Sequence, residues 1–394
     1  MNFLISAGEA SGDTYGAQLI EALRQLAPSS TFFGMGGEKM RASGAELLVH
    51  ANEVAVVGLV EVVTHLPGIR RRFKLLVAEA ARRKPDAAIL IDFPDFNLRL
   101  ARELHRLGIP VFYFVSPQIW AWRTGRVKQI KKHVRKMIVI FPFEQEFYAR
   151  HGVEVSYVGH PLAYVPPPQV SREEFAAKYF LDPKKQWIAL LPGSRRKEVR
   201  LNLPTMLQAA GHLKEQRGQF QFLLPVASTI SADGLKEQIA SSPVQVILTD
   251  NARATLMYAR AAVVASGTAT VEATLSGAPF VVVYRLAPLT WLLGRRLVKL
   301  DTFAMPNLIA EKKIVPELIQ RDFTAQNVVR ELNAIIPDGP ARQQMQGALK
   351  MVQDRLRGRA DSESPTMKAA WEILAAVTQD QAFNCPSGRG THHR

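Results

Sequence analysis

Hydrophobic positions along this chain fall into short runs rich in β-branched and aromatic residues, separated by longer stretches with helical spacing. In the first half the runs are Asn2–Ser6, Thr31–Gly34, Ala87–Asp92, Val111–Val115 and Met137–Ile140. Helical patterns at Asp13–Leu26, Leu98–Leu107 and Gly125–Lys136 lie between them. Apolar strands alternating with helices predict a parallel sheet buried on both faces. Pro166-Pro167-Pro168 interrupts the pattern and reads as a stiff linker. A second series follows at Trp187–Leu191, Phe220–Pro225, Val244–Leu248, Ala262–Ala265 and Phe280–Tyr284. Helical patterns at Thr324–Ile336, Ala341–Leu356 and Ser364–Val377 close the chain, and from Gln379 onward a Gly/Ser/Pro/His-rich tail predicts disorder.

The fold class this predicts is α/β, with two Rossmann-like doubly wound domains facing a cleft and helices at the C-terminus. The expected divisions are 1–165, 166–345, C-terminal helices over 346–378 that pack back or exchange in a dimer, and a disordered tail over 379–394. A chain of 394 residues suits two domains rather than one core.

Composition changes this picture in one respect. Apolar residues make up 47% and charged residues 22%, ordinary for a globular protein, but the formal net charge is +15. Such an excess attracts polyanions, with nucleic acid and anionic lipid as the two candidates. The single cysteine, Cys385, lies in the polar tail, which excludes an internal disulfide and a thiolate-built metal site. The N-terminus reads as a first strand rather than a signal peptide, and no apolar run approaches the roughly 20 residues of a membrane span.

Six segments can carry chemistry. Ser6-Ala7-Gly8-Glu9-Ala10-Ser11-Gly12-Asp13 joins the first strand to a helix, at the sheet edge where ligands bind. Ser11 and Asp13 also suit an N-cap, whereas Glu9 is not accounted for by capping. Neither this loop nor Gly34-Met35-Gly36-Gly37, which reads as a tight turn, matches the dinucleotide fingerprint Gly-x-Gly-x-x-Gly. Ile91-Asp92-Phe93-Pro94-Asp95-Phe96-Asn97 ends the strongest strand with two carboxylates three apart, suited to general-base work or metal binding. Pro94 predicts an extended Phe93 and an Asp95 projecting from the edge, with Asp95 or Asn97 as alternative caps for the next helix.

Trp120, Trp122 and Arg123 precede a basic stretch, Arg126–Lys136, in a region without acidic residues between Leu104 and Phe143. The pattern fits a membrane boundary, base stacking, or a core tryptophan pair beside a solvated helix. Val56–Leu66 is dominated by apolar residues, among them Val57, Leu59, Val60, Val63 and Leu66, and Arg70-Arg71-Arg72 follows. Cations interleaved with aliphatic residues favour a lipid surface over nucleic acid. In the second half, Leu190–Glu198 and Ala265–Glu272 each join a strand to a helix through small residues. Arg195 can fork onto a pyrophosphate, the N–H groups around Ser266, Gly267, Thr268 and Ala269 can approach a phosphate, and Glu272 can accept from ribose hydroxyls. Together they point to nucleotide binding.

These segments resemble the lipid-A-disaccharide synthase family of GT-B glycosyltransferases over residues 1–375. The resemblance rests on Ser6–Asp13, Ile91–Asn97, Val115–Arg123, Leu190–Arg195, Ser266–Glu272 and Met305–Leu308. It implies an inverting, metal-independent transfer without cofactor, joining UDP-2,3-diacylglucosamine to 2,3-diacylglucosamine 1-phosphate. It further implies a homodimer, peripheral on the cytoplasmic face of a bacterial inner membrane. Carried over by motif, Asp95 is the general base, with Asp92 and then Glu9 as rivals. Glu9 and Ser11 lie near the reacting sugars, and Asn307 joins Arg195, Ser266–Ala269 and Glu272 at the UDP-sugar. Two enzymes of the same architecture stay open, a UDP-GlcNAc 2-epimerase and a GlcNAc transferase for peptidoglycan lipid. Outside enzymes, a basic nucleic-acid-binding protein is the alternative.

Overall fold

The computed structural model describes residues 1–54, 59–122, 124–227, 230–286, 302–358 and 363–384; for 59–65, 121–122, 124, 217 and 380–384 this is the backbone alone. The chain divides into two compact units, Met1–Tyr164 with Gly358–Arg394, and Val165–Arg357. The expected boundary at 345/346 falls inside one continuous helix, Pro340–Arg357, and the division lies after that helix.

The first unit is built on seven parallel strands: β1 (Asn2–Ala7), β2 (Thr31–Gly36), β3 (Glu46–His50), β4 (Ala87–Ile91), β5 (Val111–Phe114), β6 (Lys136–Val139) and β7 (Val155–Tyr157). Their order across the sheet is β3-β2-β1-β4-β5-β6-β7. Every residue of β4 is buried, as a strand covered on both faces requires. The helices are α1 (Ala10–Leu26), α2 (Glu38–Ala42), α3 (Leu59–Arg83), α4 (Pro94–Arg106), α5 (Ile119–Trp122), α6 (Val127–His133) and α7 (Pro142–Arg150). One face of the sheet packs on α1, whose Leu19, Ile20 and Leu23 recur at helical spacing. The other face packs on Leu76, Leu100, Leu104 and Ile130 from α3, α4 and α6.

The second unit repeats the plan with β8 (Gln186–Leu191), β9 (Phe220–Pro225), β10 (Val246–Thr249), β11 (Ala261–Ala265), β12 (Phe280–Tyr284) and β13 (Glu317–Ile319), in the order β10-β9-β8-β11-β12-β13. Its helices are α8 (Arg172–Lys178), α9 (Arg196–Arg217), α10 (Ala232–Ala240), α11 (Ala252–Tyr258), α12 (Thr268–Ser276), α13 (Met305–Ala310), α14 (Ala325–Ile335) and α15 (Pro340–Arg357). The last helix, α16 (Pro365–Asn384), returns to the first unit, where Ala369, Ala370, Ile373 and Val377 join the α1 cluster.

Four expectations are corrected. Gly34-Met35-Gly36 is strand, not turn: Gly34 has φ +146°, and a Cβ there would meet the Ile5 carbonyl oxygen at 2.1 Å. Phe93 is left-handed (φ 50°, ψ 58°) rather than extended. The proline rule yields here to the buried Asn97, which bonds the Asp92 carbonyl, while Pro94 sits in the first turn of α4, where its missing N–H costs nothing. That helix therefore starts four residues before Leu98. The predicted tail is helical as far as Asn384, since the first breaker, Pro386, comes after it.

In each sheet the strand order reverses at one place, between β1 and β4 and between β8 and β11. The crevice at the carboxyl ends of such strands is where ligands of open α/β sheets bind.

Candidate functional site

The β1 and β4 ends are tied together by Asn97, whose side chain is wholly buried. Its Oδ1 accepts from Ser6 Oγ at 2.7 Å. Its Nδ2 donates to the carbonyls of Ser6 (3.3 Å), Ile91 (3.1 Å) and Asp92 (2.9 Å). Tyr113 adds a hydroxyl to the same Asp92 carbonyl at 2.5 Å, and burial holds that phenol well above its usual range. These bonds secure two consecutive left-handed residues, Asp92 (φ 43°) and Phe93. The Phe93 ring in turn lies where a Cβ on Gly8 would be, 2.3 Å away, so the first loop passes only as glycine.

Asp95, in the first turn of α4, stands at the edge with 71% of its side chain exposed and pairs with Arg126. Asp92 is half-buried beneath it, Glu9 is the N-cap residue of α1 without a side-chain capping bond, and Ser11 is exposed. Asp13 caps a different helix from the one it sits in. Its carboxylate accepts from the backbone N–H of Gly37 (2.7 Å), Lys39 (3.1 Å) and Met40 (3.1 Å) at the start of α2.

Beyond β5 and β6 lies a buried polar cluster that the sequence reading missed. Glu144 is fully enclosed; its carboxylate accepts from Trp120 Nε1 (3.2 Å) and the Phe141 N–H (3.2 Å). Burial pushes this carboxyl up to about 8, so it is protonated at neutral pH. His160 is also enclosed and pushed down to about 3 by burial; its Nδ1 accepts the Leu162 N–H, which only a neutral ring can do. Ser116 and Tyr148 share a bond of 2.7 Å beside them. The signal lay in Phe141-Pro142-Phe143-Glu144, a strand end with proline opening a helix and a carboxylate two residues on. Trp120 belongs to this cluster, half-buried and edge-on to Phe143 at 4.9 Å.

Of the predicted surface residues, Leu66, Arg70 and Arg71 are exposed on α3, and Arg72 Nε is bound to Glu53 at 2.6 Å. Val57 and Arg123 lie outside the described residues, as do the side chains of Leu59, Val60, Val63 and Trp122.

In the second unit the β8 loop turns through Gly193 (φ +125°), where a Cβ would meet Glu198 at 2.6 Å. Glu198 folds back over the loop: its Oε2 accepts from the N–H groups of Ser194 (3.1 Å) and Arg195 (3.3 Å). Arg195 Nη1 faces the same carboxylate at 3.4 Å, with 57% of its side chain exposed. The backbone donors of this loop thus already serve an internal carboxylate. Ser266 follows β11, and Gly267 (φ +143°) opens α12 with nothing within 4 Å of its missing Cβ. The first-turn N–H groups of Thr268 and Ala269 have no intrahelical partner and carry the positive end of the helix dipole. Glu272, half-buried on α12, is raised above its usual value by burial, against the opposing charge of Arg253.

Asn307 is wholly buried and spent on its own chain. It accepts from Ile314 N (2.7 Å) and Val315 N (2.9 Å) and donates to Val315 O (3.0 Å) and Glu317 Oε1 (2.7 Å). Glu317 also receives the N–H groups of Phe303 (2.9 Å) and Ala304 (3.1 Å), a second hub the sequence did not reveal. Among the described residues no three His, Cys, Asp or Glu side chains converge as a metal site, and no helix is long and apolar enough to cross a membrane.

A family model described as Lipid-A-disaccharide synthetase matches residues 3–370. The chain is 54% identical over 380 residues to the lipid-A-disaccharide synthase of Koribacter versatilis, covering 96% of this chain and 99% of that one. Among solved structures it resembles the glycotransferase of kitacinnamycin (TM-score 0.62, 14% identity, 95% and 98% covered). It also resembles a UDP-GlcNAc 2-epimerase from Neisseria meningitidis bound to UDP-GlcNAc (TM-score 0.60, 12% identity, 96% and 100% covered). At such identities the two structures share the fold.

Proposed function

The chain belongs to the lipid-A-disaccharide synthase family, a glycosyltransferase of lipid A biosynthesis, and from that premise we propose how its residues perform the transfer. The donor is UDP-2,3-diacylglucosamine and the acceptor 2,3-diacylglucosamine 1-phosphate. Asp95 takes the proton from the acceptor 6-hydroxyl. The oxygen bonds to the anomeric carbon opposite the leaving group, the bond from that carbon to the β-phosphate oxygen breaks, and UDP departs with the electron pair. Inversion yields the β-1,6 disaccharide 1-phosphate.

One observation carries this reading: a carboxylate stands on the crevice of one sheet, and anion-seeking loops stand on the crevice of the other. Arg195 and the N–H groups around Ser266–Ala269 stabilise the departing pyrophosphate, so no metal is required. Glu272 takes the ribose hydroxyls. Asn307, on α13, acts by holding the segment after that helix, from Ile314 to Glu317, in shape. Glu9 and Ser11 line the acceptor side. The test follows UDP release and product mass with both acylated substrates and EDTA. Asp95→Asn is expected to lower turnover about 10²–10⁴-fold. Near-full turnover in that variant, with loss in Asp92→Asn, moves the base to Asp92.

We further infer peripheral attachment to the anionic inner membrane and a homodimer. The exposed Leu66 and Leu75 beside Arg70 and Arg71 support the former. Charge reversal of Arg70 and Arg71 is expected to abolish salt-sensitive binding to anionic vesicles; unchanged binding refutes it.

A further inference from the structure

Asp95 shares its surroundings with a cationic cleft that the reaction scheme leaves unused. On α4, Asp95, Arg99 and Arg102 recur at i, i+4 and i+7, which stacks them on one stripe of the helix. Facing them, Arg126, Gln129 and His133 form a matching stripe along α6 and its N-cap. The two stripes line a cavity of about 450 Å³. Its walls hold three arginines against one aspartate, and that aspartate is paired with Arg126. Arg102 is also bonded to Glu103, through Nε at 3.1 Å. Arg99 is exposed and makes no ion pair among the described residues. His133 is kept below its usual range by burial first and by His105, Lys132 and Arg102 next.

A concave site with several guanidinium groups and an imidazole suits a compact dianion with several oxygens. We propose that the cleft seats the phosphomonoester of the acceptor sugar, and that the phosphate draws Arg126 away from Asp95. Paired with Asp95, Arg126 competes with an incoming hydroxyl for the carboxylate. With phosphate on the arginines, that competition from Arg126 is removed, so binding the right acceptor favours proton transfer to Asp95. Asp95 lines the same cleft, and Arg99 lies one helical turn, about 6 Å, further along α4, roughly the span of one sugar ring. This rests on the acceptor reading above.

The experiment compares the phosphorylated acceptor with its dephospho counterpart, in the full-length wild type and in an Arg99→Ala/Arg102→Ala variant. The ratio of the two kcat/KM values is expected to fall about 10–100-fold in the variant. An unchanged ratio overturns the proposal, whatever the variant does to overall turnover. If the wild type transfers to neither acceptor, the reading of the reaction fails and titration with glucosamine 1-phosphate still decides the cleft. Binding lost in the variant supports it, and binding retained overturns it. Membrane phosphate is separated by vesicles of phosphatidylglycerol. Weaker vesicle binding in the variant with an unchanged acceptor ratio assigns the cleft to lipid headgroups, and the proposal falls.

Discussion

Asn97 and Asn202 are both shut off from solvent, both lie on the helix that follows a switch-point strand, and they tie down different things. Asn97 reaches three carbonyls and a serine hydroxyl at the ends of β1 and β4, the neighbouring strands of the first crevice. Asn202 donates to the Pro192 carbonyl at 2.9 Å and accepts the Arg285 N–H at 3.1 Å, linking β8 to the end of β12 and passing over β11. The first crevice is therefore locked by side chains into an unusual backbone. The second leaves its loops to glycines at positive φ and to Glu198, whose hold on two N–H groups an anion can take over. A fixed frame suits a positioned base, which loses rate when its geometry wanders. An exchangeable contact suits a group that must arrive and depart.

That contrast can be broken by stability measurements. Asn97→Ala strands several buried carbonyls and is expected to cost about 3 kcal/mol in urea unfolding, against about 2 kcal/mol for Asn202→Ala. Equal losses would erase the distinction drawn between the crevices.

The smaller effect concerns the polar cluster behind the first crevice. Glu144 titrates near 8 in the folded protein and at 4.5 when unfolded. The folded state thus binds more protons across that window, and stability falls as pH rises through it. His160 works the other way: near 3 folded and 6.5 unfolded, it makes stability rise with pH across its own window. The two slopes oppose each other between 4.5 and 6.5, and above that only the loss from Glu144 remains. It amounts to about 2 kcal/mol by pH 8. Glu144→Gln keeps an acceptor for Trp120 and the Phe141 N–H and is expected to remove this decline, read as the urea midpoint at pH 6.5 and 8. A wild-type midpoint that does not fall over this range contradicts a protonated Glu144.

Central strands were legible from sequence because burial on both faces leaves an unbroken apolar run, as in Ala87–Ile91 or Ala261–Ala265. The strands that escaped notice were β3, β7 and β13, short sheet edges in which Glu46, His50, Ser156 and Glu317 dilute the pattern. Motifs at the two switch points were visible because small residues between a strand and a helix are an unusual local composition. The Glu144–His160 cluster and the facing stripes of α4 and α6 were not, since residues far apart in sequence meet there only through the sheet. Phe93 shows a local rule giving way to a tertiary one: the buried Asn97 fixes a conformation that the following proline disfavours.

The first unit is assembled from two stretches of chain, one before and one after the segment that forms the second unit. On a ribosome this imposes a schedule. The Val165–Arg357 segment is complete, and free to fold, while the sheet made before it still lacks its final covering helix. Until Pro365–Asn384 is released, the side of α1 that receives Ala370 and Ile373 faces water. Chaperone demand during synthesis therefore falls on the segment before Val165 rather than on the second unit.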